Sequence, residues 1–502
     1  MKTTRLQKHA LLIAVVVVAL PAFALLSAGR SIGPAQVAYA ASLPAAPVIY
    51  WSREAARAIV PPGPGGIFGP DNYGNKFPGE AAVYMGIVHA AIYDTALAFG
   101  GGYHPYAIGL TAPQGASPEA AIATATHNVL IGLQPELGLN PAQQAILDGH
   151  YADYMAAIPD GTAKSDGISV GAQVAAAVVA LRTNDGRGSN PQIGQPPFVP
   201  PPPGPGVWDP GNAPAVGLRL PLIRPLALQS ASQFRPDAPP ALTSDEYTQD
   251  YEQVKALGSI SSTVRTPDET TQALFWTDHD IRQWNDGLLT LAGAQGLDLV
   301  QTARMLAMAH VSGGDAMIAC FDAKYHYWFW RPYQAIPQAG TDGNPATEPD
   351  ATWRPLRPTP NFAEYPSAHA CHSTAMVEAL QAFFGTDNMT ISLSSRVTQT
   401  TRTYNHLHDV LSDVNEARIL VGFHFRNSTQ VGSNLGRHVA DYIVARLFQP
   451  LRHDQSVVAG MPRTGSGGSN AIGAYAVVLA LALGVILILI GSLVWIRSRW
   501  AE

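Results

Sequence analysis

Apolar residues run along this chain in long helical stretches and not in alternating pairs. Ala81–Phe99 has apolar runs with few breakers and contains His89 and Asp94. Ser117-Pro118-Glu119 combines a capping hydroxyl, a proline in the first turn and an early acid, which predicts a helix start. It opens an Ala-rich helix to Leu133, and another Ala/Val-rich helix is expected from Val170 to Arg182, stopping at Asn184-Asp185-Gly186. Residues 186–240 are dense in Pro and Gly and predict an extended loop, which Trp208, Leu220, Leu222, Ile223 and Phe234 give something to bury. Helical patterns resume at Ser244 and continue to Phe448. No sustained period-2 alternation is present, so strands are minor at most. No repeat at a short fixed period is visible, and two helical halves flanking a loop fit a pair of bundles. The expected fold class is all-α, a large helical-bundle domain over residues 46–450.

The two ends have a different character. Lys2, Arg5 and Lys8 precede an apolar stretch from Ala10 to Ala28, the layout of an export signal, with a small-x-small site at Ala38-Tyr39-Ala40. Residues 1–40 are therefore expected to be a signal peptide or an N-terminal anchor. Behind a linker at 454–471, Ile472–Ile496 is apolar enough to cross a bilayer as a helix. Arg497 and Arg499 follow it, which places the short tail on the cytoplasmic side. The expectation is a cell-membrane protein with its main domain extracytoplasmic.

Composition sharpens this in two respects. A net charge of −6 argues against general affinity for nucleic acid, so any anion site must be a local concentration of cations. Two cysteines, Cys320 and Cys371, exclude a disulfide-stapled scaffold. In an exported domain they are either joined to each other or two buried thiols.

Three segments of the second half carry candidate chemistry. In Lys324-Tyr-His-Tyr-Trp-Phe-Trp-Arg331-Pro332 the cations are seven apart, about two turns or ~10.5 Å on one helix face, with Pro332 expected to mark the helix end. In Tyr365-Pro366-Ser367-Ala368-His369, Ser367 is placed as the N-cap of a helix running to Gly385. Such an N-terminus binds oxyanions through free N–H groups, and His369 in the first turn is placed for proton exchange. In Arg418-Ile-Leu-Val-Gly-Phe-His424 the six-residue spacing is off-face, so the chain must bend near Gly422 if both residues serve one site. Each segment alone is ordinary: snorkelling cations, a capped helix, a core histidine. Together they make a shell for a tetrahedral oxyanion.

The order Lys-x6-Arg-Pro, Pro-Ser-x-His, Arg-x5-His resembles the signature that vanadium-dependent haloperoxidases share with the type-2 phosphatidic-acid phosphatase superfamily. Met85–Asp94, Pro105-Tyr106, Gln233-Phe-Arg-Pro236, Asp322-Ala-Lys-Tyr325 and Phe329-Trp-Arg-Pro332 look like the haloperoxidase branch. The resemblance implies that His424 bonds vanadium, while Lys324, Arg331, Arg418, Ser367 and the Ala368 N–H hold the vanadate oxygens. It also implies His369 as the acid–base group toward hydrogen peroxide and Lys324 as the group that polarises bound peroxide toward halide. Hypohalous acid would then halogenate a small organic acceptor. The residues themselves do not choose between vanadate and phosphate. The alternative is a phosphomonoesterase with His424 as nucleophile and a phosphoester as substrate, and a non-catalytic relative is a third reading.

This chain departs from the family pattern in places. Ala368 stands where the family usually has Gly, which is harmless only if that residue is helical. Ala417 replaces a common Ser. Ser428 stands where an Asp often follows the vanadium-binding histidine by four, which weakens the bond orienting His424 or leaves it to another acceptor. Phe362 is the position that separates aromatic from histidine types. For His406, His408 and Asp409, loop polarity is a better account than a metal site. His326 is expected at the surface or lining the site, and Asp315 and Asp322 as supporting acceptors or exposed acids.

Overall fold

The longest apolar stretches form helices buried on nearly every side. In the computed structural model, which describes residues 43–451, they are α2 (Pro78–Gly100) and α9 (Leu299–Tyr327), packed against each other. Around them lie α1 (Ala46–Ile59), α3 (Pro118–Gly132), α4 (Pro141–Ala156), α5 (Thr162–Leu181), α6 (Asp245–Gly258), α7 (Pro267–Phe275) and α8 (Asp280–Ala294). Then come α10 (Pro332–Gln338), α11 (Ala368–Phe384), α12 (Asp409–Leu420) and α13 (Arg426–Val444). Among the described residues one antiparallel hairpin, β1 (Ile391–Ser395) with β2 (Thr400–Tyr404), is the only sheet, so the fold is mostly helical. The export segment and the 472–496 span fall outside the described residues. Among those described, α2 alone is long and apolar enough to span a bilayer, and it is a buried core helix.

The two halves are built with the same devices. On α2 the carboxylate of Asp94 accepts the N–H groups of Tyr106, Ala107 and Ile108 at 2.6–2.9 Å. On α9 the carboxylate of Asp315 accepts those of Leu226, Ala227 and Leu228 at 2.6–2.8 Å. Both acids are buried, and each fixes a loop that would otherwise leave three N–H groups unsatisfied. His89 and His310, five residues before each acid, stack on one another at 4.4 Å.

The flanking pairs match as well. α5 lies against α3 through Gly167 and Gly171, where a Cβ would come within 2.3 Å of the Ser117 and Ala121 carbonyls. α13 lies against α11 through Gly432 and Gly436, where a Cβ would come within 2.7 and 2.3 Å of the Ser367 and Cys371 carbonyls. Two helix pairs are thus assembled on the same close contacts.

The Pro/Gly-rich segment runs over this core and buries Trp208, Leu220 and Ile223. Its Trp208 N–H donates to the Trp328 carbonyl at 2.6 Å and its Gly206 carbonyl accepts from Trp330 at 3.0 Å. It therefore supports the chain between the two cations of the first motif.

Candidate active site

Lys324 and Arg331 do not share a helix face. α9 ends at Tyr327, Trp328 takes a left-handed conformation (φ 52°), and Phe329 and Trp330 lie outside any helix. Three bulky aromatics in succession pair with the 204–208 loop instead of continuing the helix, and Pro332 opens α10 where a missing N–H is harmless. The expectation of one continuous helix with Pro332 at its end is corrected accordingly. The two cations still converge, on opposite sides of a short loop, and both lie over the Phe362 ring at 5.0 and 4.7 Å.

Lys324 is fully buried and donates to the carbonyls of Ala363, Glu364 and Pro366 at 3.1, 2.8 and 2.5 Å. All three ammonium protons thus tie α9 to the Pro-Ser motif. Arg331 donates to the Phe362 and Phe423 carbonyls and, through Nη1, meets Nε2 of His424 at 2.9 Å. Its Nη2 is buried without a partner.

Ser367 is the N-cap residue of α11, but its hydroxyl makes no capping bond and is buried without a partner. The first N–H groups of α11 therefore point to a position with no side-chain cap. Ala368 is the first helical residue, with no positive φ, so its methyl group is tolerated. His369 follows, half-buried, with Nε2 unpartnered. Asp280, at the start of α8, faces His372 at 3.2 Å; burial opposes its ionisation, but His369 and His372 hold its carboxyl well below the usual range.

The third motif bends as its spacing requires. α12 ends at Leu420 and Gly422 takes φ 81°, with the Gly258 carbonyl 2.6 Å from where a Cβ would sit. The turn brings His424 back beside Arg418, whose carbonyl accepts the His424 N–H at 3.3 Å. Arg418 donates Nη2–H to the Trp276 carbonyl and leaves a buried Nε free.

The residue missing from the sequence reading is Glu364. Its side chain is fully buried, and Oε1 stands 2.7 Å from Nδ1 of His424 and accepts the Phe425 N–H at 3.1 Å. It is the other acceptor that the Ser428 departure called for. Its place next to the Tyr-Pro-Ser motif was the one available clue.

The electrostatics describe a cationic hole. Burial pulls Lys324 down to about 8, Arg331 to about 10 and Arg418 to about 9. Burial first, then Arg331, Lys324 and Arg418, push His424 well below its ordinary value, so it is a neutral imidazole. His369 is lowered to about 3 by burial and then Arg418. Glu364 is raised to about 7 by burial, against the pull of Arg331 and Lys324. Three buried cations share too little negative charge, and Arg331 Nη2, Arg418 Nε, Ser367 Oγ and His369 Nε2 have nothing to bond. Unsatisfied buried donors of this kind are costly without an anion. These residues fit a tetrahedral oxyanion such as vanadate.

Residues 304–453, which hold every one of these side chains except Asp280, match the family model of the VCPO second helical-bundle domain. The chain is also similar to solved structures of vanadium haloperoxidases. One is described as the first bacterial vanadium-dependent iodoperoxidase, at 21% identity, covering 82% of this chain and 98% of that one with a TM-score of 0.64. Two others are apo and holo forms of a bacterial vanadium-dependent chloroperoxidase, at 15% and 14% identity. They cover 74% and 77% of this chain and 93% and 94% of theirs, with TM-scores of 0.55 and 0.56. At these identities the likeness shows the haloperoxidase fold. A search of curated proteins found no match.

Within this haloperoxidase fold the remaining candidates find structural roles. Asp315 is the buried loop clamp already described, and Asp322 holds Arg235 of the Gln233–Pro236 motif through two bonds of 2.7 and 2.9 Å. His408 pairs with Asp387 and Glu378, and no group able to hold a metal ion through His, Cys, Asp and Glu occurs among the described residues. His326 is exposed. Cys320 and Cys371 are free buried thiols, one turn before Lys324 and one turn after Ser367.

Proposed function

We propose that this protein oxidises halide with hydrogen peroxide, using vanadate held at His424, and so halogenates small organic acceptors. The observation that carries the reading is the set of unpartnered donors around a neutral imidazole at a helix N-terminus: Arg331 Nη2, Arg418 Nε, Ser367 Oγ and the first N–H groups of α11. The haloperoxidase fold supports oxidation over phosphoester hydrolysis.

Bound vanadate would supply a Lewis-acid centre that activates peroxide toward halide. The protein's own part is positional and electrostatic. Arg331, Arg418 and Ser367 would take the anion's oxygens through the donors they leave free, and the α11 dipole adds favourable charge. His424 presents the Nε2 lone pair as the protein ligand. Neutral His369 accepts a proton at Nε2 as peroxide arrives, and an anion among these cations reverses the electrostatic part of its lowered basicity. Lys324, its three protons given to the carbonyls of the Pro-Ser loop, holds that loop and adds buried positive charge beside the site. The apolar ends of the sequence support a location for this chemistry outside the cytoplasm, on a membrane anchor. Protease treatment of sealed, right-side-out membranes should therefore degrade the domain, and its protection would contradict that placement.

The test is oxidation of iodide, bromide and chloride by the purified protein with hydrogen peroxide, before and after loading with orthovanadate. Hydrolysis of a phosphomonoester is measured alongside. Oxidation that appears only with vanadate is the expected result. Hydrolysis without vanadate, and no oxidation with it, would make the site a phosphatase.

A further inference from the structure

We infer that Glu364 is the positioning residue that sets the tautomer of His424, and thereby makes Nε2 the atom available to the anion; this rests on the reading of the site given above. The position four after the histidine is Ser428 and has no carboxylate to offer. Glu364 reaches His424 from a different segment, with Oε1 2.7 Å from Nδ1.

Two independent contacts select the same tautomer. When Glu364 is ionised, its Oε1, which also accepts the Phe425 N–H, can only accept from the ring, so the imidazole proton belongs on Nδ1. On the other side of the ring, Nε2 faces Nη1 of Arg331 at 2.9 Å, a group that only donates. A proton on Nε2 would put donor against donor there and leave Nδ1 with no proton to give Glu364.

Glu364 is itself held firmly. Its N–H donates to the Phe329 carbonyl at 2.8 Å and its own carbonyl accepts from Lys324 at 2.8 Å. Its side chain borders a cavity of about 10 Å³ shared with Ser428 and Asp250, about the room one water needs. The line of contact runs from Lys324 through the Glu364 backbone to the Glu364 carboxylate and the His424 ring. Lys324 therefore also acts on His424 at one remove.

The substitutions separate charge from acceptor. In Glu364→Gln, the Phe425 N–H keeps the amide oxygen at the Oε1 position, so the acceptor survives without its charge. In Glu364→Leu, Nδ1 has no acceptor at all. The measurements are long-range proton–nitrogen spectra of protein labelled in histidine, with His424 assigned from His424→Gln, and vanadate dissociation constants by equilibrium dialysis.

The wild type should carry its proton on Nδ1. Glu364→Gln should keep that tautomer and lose about tenfold in vanadate affinity, and Glu364→Leu should show mixed tautomers and lose about a hundredfold. Wild-type affinity in both variants with a single Nδ1–H tautomer in Glu364→Leu would overturn the inference. Should Glu364→Leu fail to fold, unchanged affinity in Glu364→Gln overturns it alone. A wild type that binds no vanadate would sink the functional reading instead, while the tautomer still decides the role of Glu364.

Discussion

At the scale of single residues, the site works by leaving good donors without partners. Arg331 is the clearest case: Nε and Nη1 are engaged by carbonyls and by His424, and Nη2 is left over in a fully buried side chain. His424→Ala should abolish vanadate-dependent oxidation while leaving a folded protein by circular dichroism; full activity would remove this residue from the mechanism. His369→Ala should lower peroxide turnover by about 10²–10⁴-fold with vanadate affinity nearly unchanged, as expected for an acid–base group. An unchanged rate would exclude that role. Lys324 supplies a pH dependence, since burial brings it down to about 8. It is charged below that pH and neutral above it, so anion affinity should fall as pH rises through about 8. The gap between wild type and Lys324→Met isolates this effect, because the anion's own titration is common to both. A gap of about tenfold at pH 7 should close by pH 9.5, and a constant gap would contradict the assignment. Most of these residues were legible beforehand because each motif carries an unusual charge in an apolar setting. Glu364 was not, because one acid in a loop has no pattern and its partner is 60 positions away.

At the scale of elements, function depends on where helices stop. The six-residue spacing of Arg418 and His424 required a bend, and Gly422 supplies it with a positive φ and a close approach to the Gly258 carbonyl. Gly422→Ala should cost about 2–4 kcal/mol of stability by urea unfolding and weaken vanadate binding, through backbone strain and steric overlap together. Wild-type stability would show that the bend is not strained. The seven-residue spacing of Lys324 and Arg331 pointed to a helix face and misled. Helical periodicity contains no information about the 204–208 loop, which pairs with residues 328–330 and draws them out of the helix. The helix α4 likewise escaped the apolar pattern because only Leu147 and Met155 of it are buried; its Asn140-Pro141 start and Gln143 capping box were the readable signal.

At the scale of the molecule, two sets of helices share one plan and one of them holds the site. Ser117 and Ser367 both stand at the N-cap position of helices that receive a glycine pair, and Asp94 and Asp315 both clamp three N–H groups. Only the second copy adds Lys324, Arg331, Arg418 and His424. The mostly helical class could be read from periodicity, whereas the repeated plan could not, since it lies in matched contacts more than 200 residues apart. Asp315→Ala should destabilise the protein by about 3–5 kcal/mol, because it leaves three N–H groups unpaired, two of them buried. It should also expose the 186–240 segment to limited proteolysis, and resistance there would show that the clamp does not hold the loop.

The most direct test of the anion site is a crystal structure of the protein soaked with orthovanadate, with vanadium located by its anomalous signal. The account predicts vanadium at bonding distance from Nε2 of His424, with oxygens on Arg331 Nη2, Arg418 Nε and Ser367 Oγ. Vanadium elsewhere, or a His424 still bonded only to Arg331 and Glu364 at saturating vanadate, would contradict it.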